Sequence, residues 1–196
     1  SARSTITVEP SLGLNEVGVP RHMAYEMFKP FIIRELKEQG MKISQAVKEY
    51  NDETPISWNA LQTVLRHRPV ILNRAPSLHK HSVQAFKPIL FEGKSIRLNP
   101  LIVHGFNADF DGDTMNMMVP LSPEAVEEAK HMMPEAILFK HGDNKLVPML
   151  SQDYLYGLNR LSLVSKKTTR KFSSIQDAKA SGIGWTVQFK LSGKNM

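Results

Sequence analysis

Three carboxylates stand at every second position in the stretch Asn107-Ala-Asp109-Phe-Asp111-Gly-Asp113. Where a chain is extended, alternate side chains share a face. Gly112 permits a sharp turn that a residue with a Cβ would resist. Asp109, Asp111 and Asp113 can therefore converge on one point. Unpaired anions that close repel one another, so such a knot calls for a neutralising partner. A hard divalent cation held through oxygen is the natural one, and with so few protein carboxylates Mg²⁺ fits better than an all-protein Ca²⁺ cage. Water or substrate phosphate would complete its shell. An EF-hand loop also begins Asp-x-Asp, but it needs Gly at its sixth position and Glu at its twelfth. Counted from Asp109 these are Thr114 and Pro120, which excludes it. A structural Ca²⁺ turn and a ligand-free acidic turn stay open on spacing alone. Against the latter, the stretch lies between the apolar runs 101–106 and 115–119.

A second stretch, Asn73-Arg74-Ala75-Pro76-Ser77-Leu78-His79, follows a predicted strand and enters a proline turn. An arginine there can present its planar fork to phosphate or sugar oxygens, or can bond local carbonyls. His79 and His81 have metal-ligand spacing, but with no cysteine in the chain and no third histidine nearby they make a poor site.

The elements that must position these groups read as follows. Residues 4–9 alternate polar and apolar with β-branched residues, which predicts a strand ended by Pro10. Gly13, Gly18 and Pro20 mark an irregular link. A helical period starts at Pro20, with Met23, Met27 and Phe31 beside Ala24, Phe28 and Ile32. Pro30 interrupts it, predicting a kink or two successive helices, and Gly40 closes it. A short helix over about 42–50 comes next. Thr54-Pro55 then caps a helix with Ile56, Ala60, Leu61, Val64 and Leu65 on its apolar face. From residue 69 to 121 the runs 70–72, 83–91, 96–98, 101–106 and 115–119 read as short strands separated by Pro and Gly. Five such strands suggest a small barrel or compact sheet. The links are too short for helical crossovers, which disfavours a doubly wound parallel fold. Ser122-Pro123-Glu124 opens another helix that Pro134 ends. A hairpin over 137–148, a helix from Ser151 to about Leu163, a helix near 174–180 and a strand at 186–191 complete the reading.

Composition narrows the classes. With 41% hydrophobic and 22% charged residues among 196, the chain is globular and can bury a core without staples. The lack of cysteine removes disulfides, thiolate zinc and a cysteine nucleophile, and fits a reducing compartment. No run of about 18 apolar residues is present, so no transmembrane helix is expected. The net charge of +6 biases the chain towards polyanions, nucleic acid above all. The opening Ser1-Ala2-Arg3-Ser4, without a start Met or apolar leader, reads as a cut into a longer protein.

The motif at 107–113 resembles the catalytic signature of the largest, beta-prime-type subunit of multisubunit RNA polymerases. The resemblance continues in order along residues 1–165. It includes residues 1–7 (Ser-Ala-Arg-Ser-Thr-Ile-Thr), Glu16-Val-Gly-Val-Pro20, Leu72-Asn-Arg-Ala-Pro76 with Leu78-His79, and Gln84-Ala-Phe86. Phe91-Glu-Gly-Lys94 with Leu98-Asn-Pro100, Val119-Pro-Leu-Ser122 and Ser151-Gln-Asp153 extend it.

This resemblance implies an α+β fold: a double-psi β-barrel with inserted and appended helices. The barrel domain would span residues 1–121 with a helical insertion at about 20–66, followed by a helical and hairpin extension over 122–165 and a basic segment over 166–196. Asp109, Asp111 and Asp113 would be catalytic and hold Mg²⁺, a second ion arriving with the nucleoside triphosphate. Arg74 would contact the ribose of the incoming nucleotide, and Asn107 would help read its hydroxyls. Arg3, His79 and Lys80 would lie near template DNA and the RNA hybrid. Partners would be the second-largest subunit and the remainder of the largest one, in a bacterial or virus-infected cytoplasm and away from membranes. The family's clamp, bridge helix and trigger loop have no counterpart in these 196 residues, so the chain alone is expected not to make RNA.

Thr114 departs from the Gln usual in bacterial enzymes. Met115-Asn116-Met117 and Ser1-Ala2-Arg3 are archaeal or eukaryotic in style while 73–76 is bacterial, which suggests a divergent source such as a large virus with a split polymerase. Two other readings compete. One is an RNA-copying polymerase with the same barrel, which the motifs at 72–79 and 84–100 disfavour. The other is a noncatalytic metal-binding assembly module, which the intact triad disfavours.

Overall fold

In the computed structural model, residues 1–137 and 153–163 are described. Strand β1 (Ala2–Val8) opens the chain and stops before Pro10, as its alternation predicts. Strand β2 (Glu16–Pro20) follows, where the sequence reads as an irregular link. Its Gly and Pro lower intrinsic strand propensity, but β2 is clasped on both sides. A Cβ on Gly18 would lie 2.8 Å from the Arg97 Cβ and 2.8 Å from a Phe91 ring carbon. The glycine is therefore demanded by close neighbours rather than by a turn.

Four helices come next: α1 (Arg21–Met27), α2 (Lys29–Glu38), α3 (Ile43–Asn51) and α4 (Pro55–His67). The break between α1 and α2 falls at Phe28, and Pro30 occupies the first turn of α2, where its missing N–H costs nothing. Ala24, Phe28 and Ile32 are fully buried, as their spacing predicts. The Thr54 side chain accepts from the Ser57 N–H and caps α4. Ala60, Leu61 and Leu65 face inward, but Ile56, expected on the same face, is 46% exposed in the first turn of α4. The Tyr25 hydroxyl ties three helices together, meeting the Tyr50 carbonyl at 2.8 Å and the Ser57 hydroxyl at 2.7 Å.

The remaining strands are β3 (Val70–Asn73), β4 (Val83–Phe91), β5 (Ile96–Leu98) and β6 (Thr114–Met118). Six strands close into a barrel in the order β1-β5-β2-β4-β3-β6. Two pairs, β1 with β5 and β2 with β4, are parallel, and the others are antiparallel. The expected strand over 101–106 is instead a 3₁₀ segment, Pro100–Phe106. Pro100 and an Asn99 side chain that accepts from the Leu101 N–H start it as a helix. Its apolar residues Ile102, Val103 and Phe106 are buried without pairing to a strand. A short apolar run has no periodicity by which to tell these states apart.

The barrel interior is filled by Val17, Val19, Leu72, Phe86, Leu98 and Met117, among others, continuous with the helical core. Helix α5 (Pro123–His131), capped by Ser122, buries Ala129. These elements belong to one unit, Ser1–Met149. A second unit, Leu150–Met196, contains α6 (Asp153–Ser162). The expected hairpin over 137–148, the Ser151 cap, the helix at 174–180 and the strand at 186–191 lie outside the described residues, save Ile137. Among the described residues, no helix is long and apolar enough to cross a membrane.

Candidate metal centre

The carboxylate loop joins the 3₁₀ segment to β6. Asn107 ends that segment in the left-handed region, at φ 49° and ψ 46°, with its N–H on the His104 carbonyl. From there the loop alternates. Ala108 and Phe110 pack against the core, while Asp109 and Asp111 are exposed. The inward residues hold the loop down, and the outward ones present their carboxylates. The loop is a bend and not a strand, so convergence comes from the turn at Gly112, whose φ is 127°. One carboxylate oxygen from each of Asp109, Asp111 and Asp113 lies within 4.8 Å of the other two.

Asp113 is the anchored member. Its carbonyl accepts from the Ile6 N–H at 3.0 Å, fastening the loop exit to β1. Its Oδ2 accepts from the Asp109 N–H at 3.1 Å. Arg74 grips both oxygens, Nε to Oδ2 at 2.8 Å and Nη2 to Oδ1 at 3.2 Å. The arginine arrives there because β3 runs antiparallel to β6, with Asn73 opposite Asn116. The Ser77 hydroxyl donates to Asn73 Oδ1 at 2.7 Å across the turn that follows.

The charges divide accordingly. Hydrogen bonds from Arg74 hold the Asp113 carboxyl below the usual aspartate range, and Asp113 in turn raises the guanidinium. Asp111 moves the other way. A hydrogen bond with the Asp109 carboxyl and that neighbour's charge push it up, with Asp113 adding to the repulsion. The repulsion that raises Asp111 is one that a bound cation would relieve. The donors are all oxygen, which suits a hard cation such as Mg²⁺, Mn²⁺ or Ca²⁺.

Of the other residues singled out in the sequence, Arg3 lies in β1 opposite Asn116, and its Nε donates to Thr114 Oγ1 at 3.0 Å. It thus holds the residue that follows the last carboxylate. Asn107 is exposed at the loop entry. His79 and Lys80 are exposed at the 3₁₀ turn Lys80–Ser82, which lies beside the segment 100–106. The His79 ring meets His81 edge-on at 5.7 Å, and no hydrogen bond or ion pair joins His79 or Lys80 to the carboxylates. Two participants escaped sequence reasoning: Thr114, read only as a departure, and the Ile6 amide. Neither has a signal in linear spacing, because β1 meets the loop only through barrel closure.

Comparison with known proteins adds the following. The family model described as RNA polymerase Rpb1, domain 2, matches residues 1–63 and 37–134. The chain is 46% identical over 186 residues to the DNA-directed RNA polymerase subunit beta' of Paraburkholderia xenovorans, covering 91% of this chain and 13% of that protein. It is 49% identical over 163 residues to the subunits of the same name from Ralstonia nicotianae and Burkholderia mallei, covering 81% of this chain and 11% of theirs. All three are bacterial, and this chain spans little more than a tenth of their length.

Proposed function

Because this chain belongs to the RNA polymerase Rpb1 domain 2 family, of the beta-prime type, we propose that it forms the catalytic-centre portion of a DNA-dependent RNA polymerase. The observation that carries the reading is the convergence of Asp109, Asp111 and Asp113 within 4.8 Å on a loop fastened to the barrel. In this reading the closed six-stranded barrel is of the double-psi type, spanning 1–121 with the helices at about 20–66 inserted. A helical and hairpin extension over 122–165 and a basic segment over 166–196 follow it in the chain.

Asp109, Asp111 and Asp113 would hold Mg²⁺. The ion, when bound, supplies charge neutralisation and polarisation at the transferring phosphoryl group, one ion resident and a second entering with the nucleotide. The chain's own part is positional. Gly112 and the packed Phe110 aim the carboxylates, Ile6 and Asp109 fix Asp113, and Arg74 and Asn107 flank the loop where an incoming ribose would lie. Arg3, His79 and Lys80, all exposed, would meet the template and hybrid. The partners are the second-largest subunit and the rest of the largest one, with DNA as template and the RNA 3′ end and nucleoside triphosphates as substrates, in the cytoplasm.

The test is Asp111→Ala in the complete assembly. Loss of template-directed RNA synthesis with assembly intact supports the reading, and undiminished synthesis overturns it. DNA and RNA templates offered in competition report which one is copied.

A further inference from the structure

Resting on the metal reading above, we propose that Arg74 is a displaceable counter-cation. It occupies the Asp113 carboxylate while no divalent ion is bound, and it gives way when one enters. An ionised carboxylate oxygen offers two acceptor directions. Asp113 Oδ2 already accepts twice, from Arg74 Nε at 2.8 Å and from the Asp109 N–H at 3.1 Å. Oδ1 accepts from Arg74 Nη2 at 3.2 Å. A cation drawn in among carboxylate oxygens lying within 4.8 Å of one another finds at Asp113 only the one open direction on Oδ1, and there it would stand beside the guanidinium. Like charges at that range repel, so the two compete for one carboxylate.

Arg74 is the member free to yield. Among the described residues its side chain makes no hydrogen bond other than those to Asp113, and it is 20% exposed. The Asp113 main chain cannot follow it, because its carbonyl accepts from the Ile6 N–H, which leaves its carboxylate only side-chain rotation. Metal entry therefore costs one charge-assisted fork and releases a guanidinium with its donors unspent, next to the bound ion. That group then serves oxygen atoms of the substrate. Metal and substrate binding become linked through one side chain, each strengthening the other.

Two measurements on the 196-residue chain test this. In the wild-type chain, the Arg74 Nε–H resonance, assigned by its loss in Arg74→Lys, is followed through a Mg²⁺ titration. It should shift and exchange faster with water as the loop amides of 109–113 report saturation. A resonance that stays unchanged at saturation overturns the proposal. In parallel, Mn²⁺ affinity is measured for the wild type, Arg74→Gln and Arg74→Ala. Removing the competitor should tighten Mn²⁺ binding about fivefold, since a neighbouring unit charge contributes on the order of that factor in a solvated site. Equal or weaker binding in a folded variant overturns the proposal and makes Arg74 a structural support. The variant carrying Asp109→Ala, Asp111→Ala and Asp113→Ala separates the layers. If it binds Mn²⁺ as the wild type does, the metal reading itself falls. If it loses binding while the arginine variants gain none, only the role of Arg74 falls.

Discussion

The Ile6 N–H donates to the Asp113 carbonyl at 3.0 Å, joining the first strand to the exit of the carboxylate loop. The contact is main chain to main chain, so among substitutions at either residue only Ile6→Pro, which deletes the N–H, removes it directly. It divides the triad into two kinds of carboxylate. Asp113 can move only by rotating its side chain, whereas Asp109 and Asp111 ride on an exposed bend.

Asp111→Asn follows from that division. Asp111 is exposed, and its neighbours raise its proton affinity by repulsion. Removing its charge should leave the melting temperature of the metal-free chain unchanged or slightly higher. Mn²⁺ affinity should fall about tenfold or more, as expected on loss of one of three charged oxygen ligands. Differential scanning fluorimetry with and without Mn²⁺ reads both.

The two shifted carboxyls give opposite pH responses. Asp113 is depressed in the folded chain by Arg74. The stability it contributes is complete above its unfolded pKa and is lost as pH falls through the folded one. Urea unfolding should therefore show the wild type ahead of Arg74→Gln at neutral pH, with the gap closing on acidification below about pH 4. Asp111 is raised, so in the folded chain its proton must leave before an ion can bind. Mn²⁺ affinity should keep climbing as pH rises above the ordinary aspartate value of about 4.

Glycines 18 and 112 should fail differently. A Cβ at Gly18 meets the Arg97 Cβ and the Phe91 ring at 2.8 Å, inside the paired barrel. Gly18→Ala should cost about 1–3 kcal/mol of global stability through overpacking. A Cβ at Gly112 meets nothing within 4 Å, but the backbone there has φ 127°. Gly112→Ala should cost about 1–3 kcal/mol of local strain. It should show mainly as weakened Mn²⁺ binding, with little change in the denaturation midpoint if the loop relaxes. Chemical denaturation beside Mn²⁺ titration distinguishes them.

Phe106 couples core to site. It is fully buried, its ring lies 6.2 Å from that of Phe86, and it directly precedes the loop entry at Asn107. Phe106→Ala should destabilise the chain by about 3–5 kcal/mol. Phe106→Leu, which keeps most of the volume, should retain both fold and Mn²⁺ binding. Loss of binding in a stable Phe106→Leu chain would show that the ring itself shapes the loop.

Much of this architecture was legible where a local rule decides. Thr54-Pro55 and Ser122-Pro123 start helices as capping chemistry requires. Pro30 separates two helices, and 83–91 and 96–98 are strands. The reading failed where tertiary partners decide. Glu16-Val-Gly-Val-Pro20 is a strand because β4 and β5 clasp it, and 101–106 coils because Pro100 and Asn99 start a turn with no strand alongside. The triad itself was visible from spacing and from Gly112. The Arg74–Asp113 fork was not, because 39 residues separate the pair and only the antiparallel register of β3 and β6 closes the distance.

The strand order also sets a schedule for synthesis. Among the described residues β1 pairs only with β5 and β6, so it has no barrel partner until the chain has grown past residues 96–98 and then 114–118. The helices α1 to α4 are complete by residue 67 and can pack among themselves while β1 waits. Pairings of such long sequence separation form late and slowly, and an unpaired strand edge is exposed to aggregation in the meantime. The Ile6 anchor on Asp113 therefore cannot form until the chain has grown past the carboxylate loop itself.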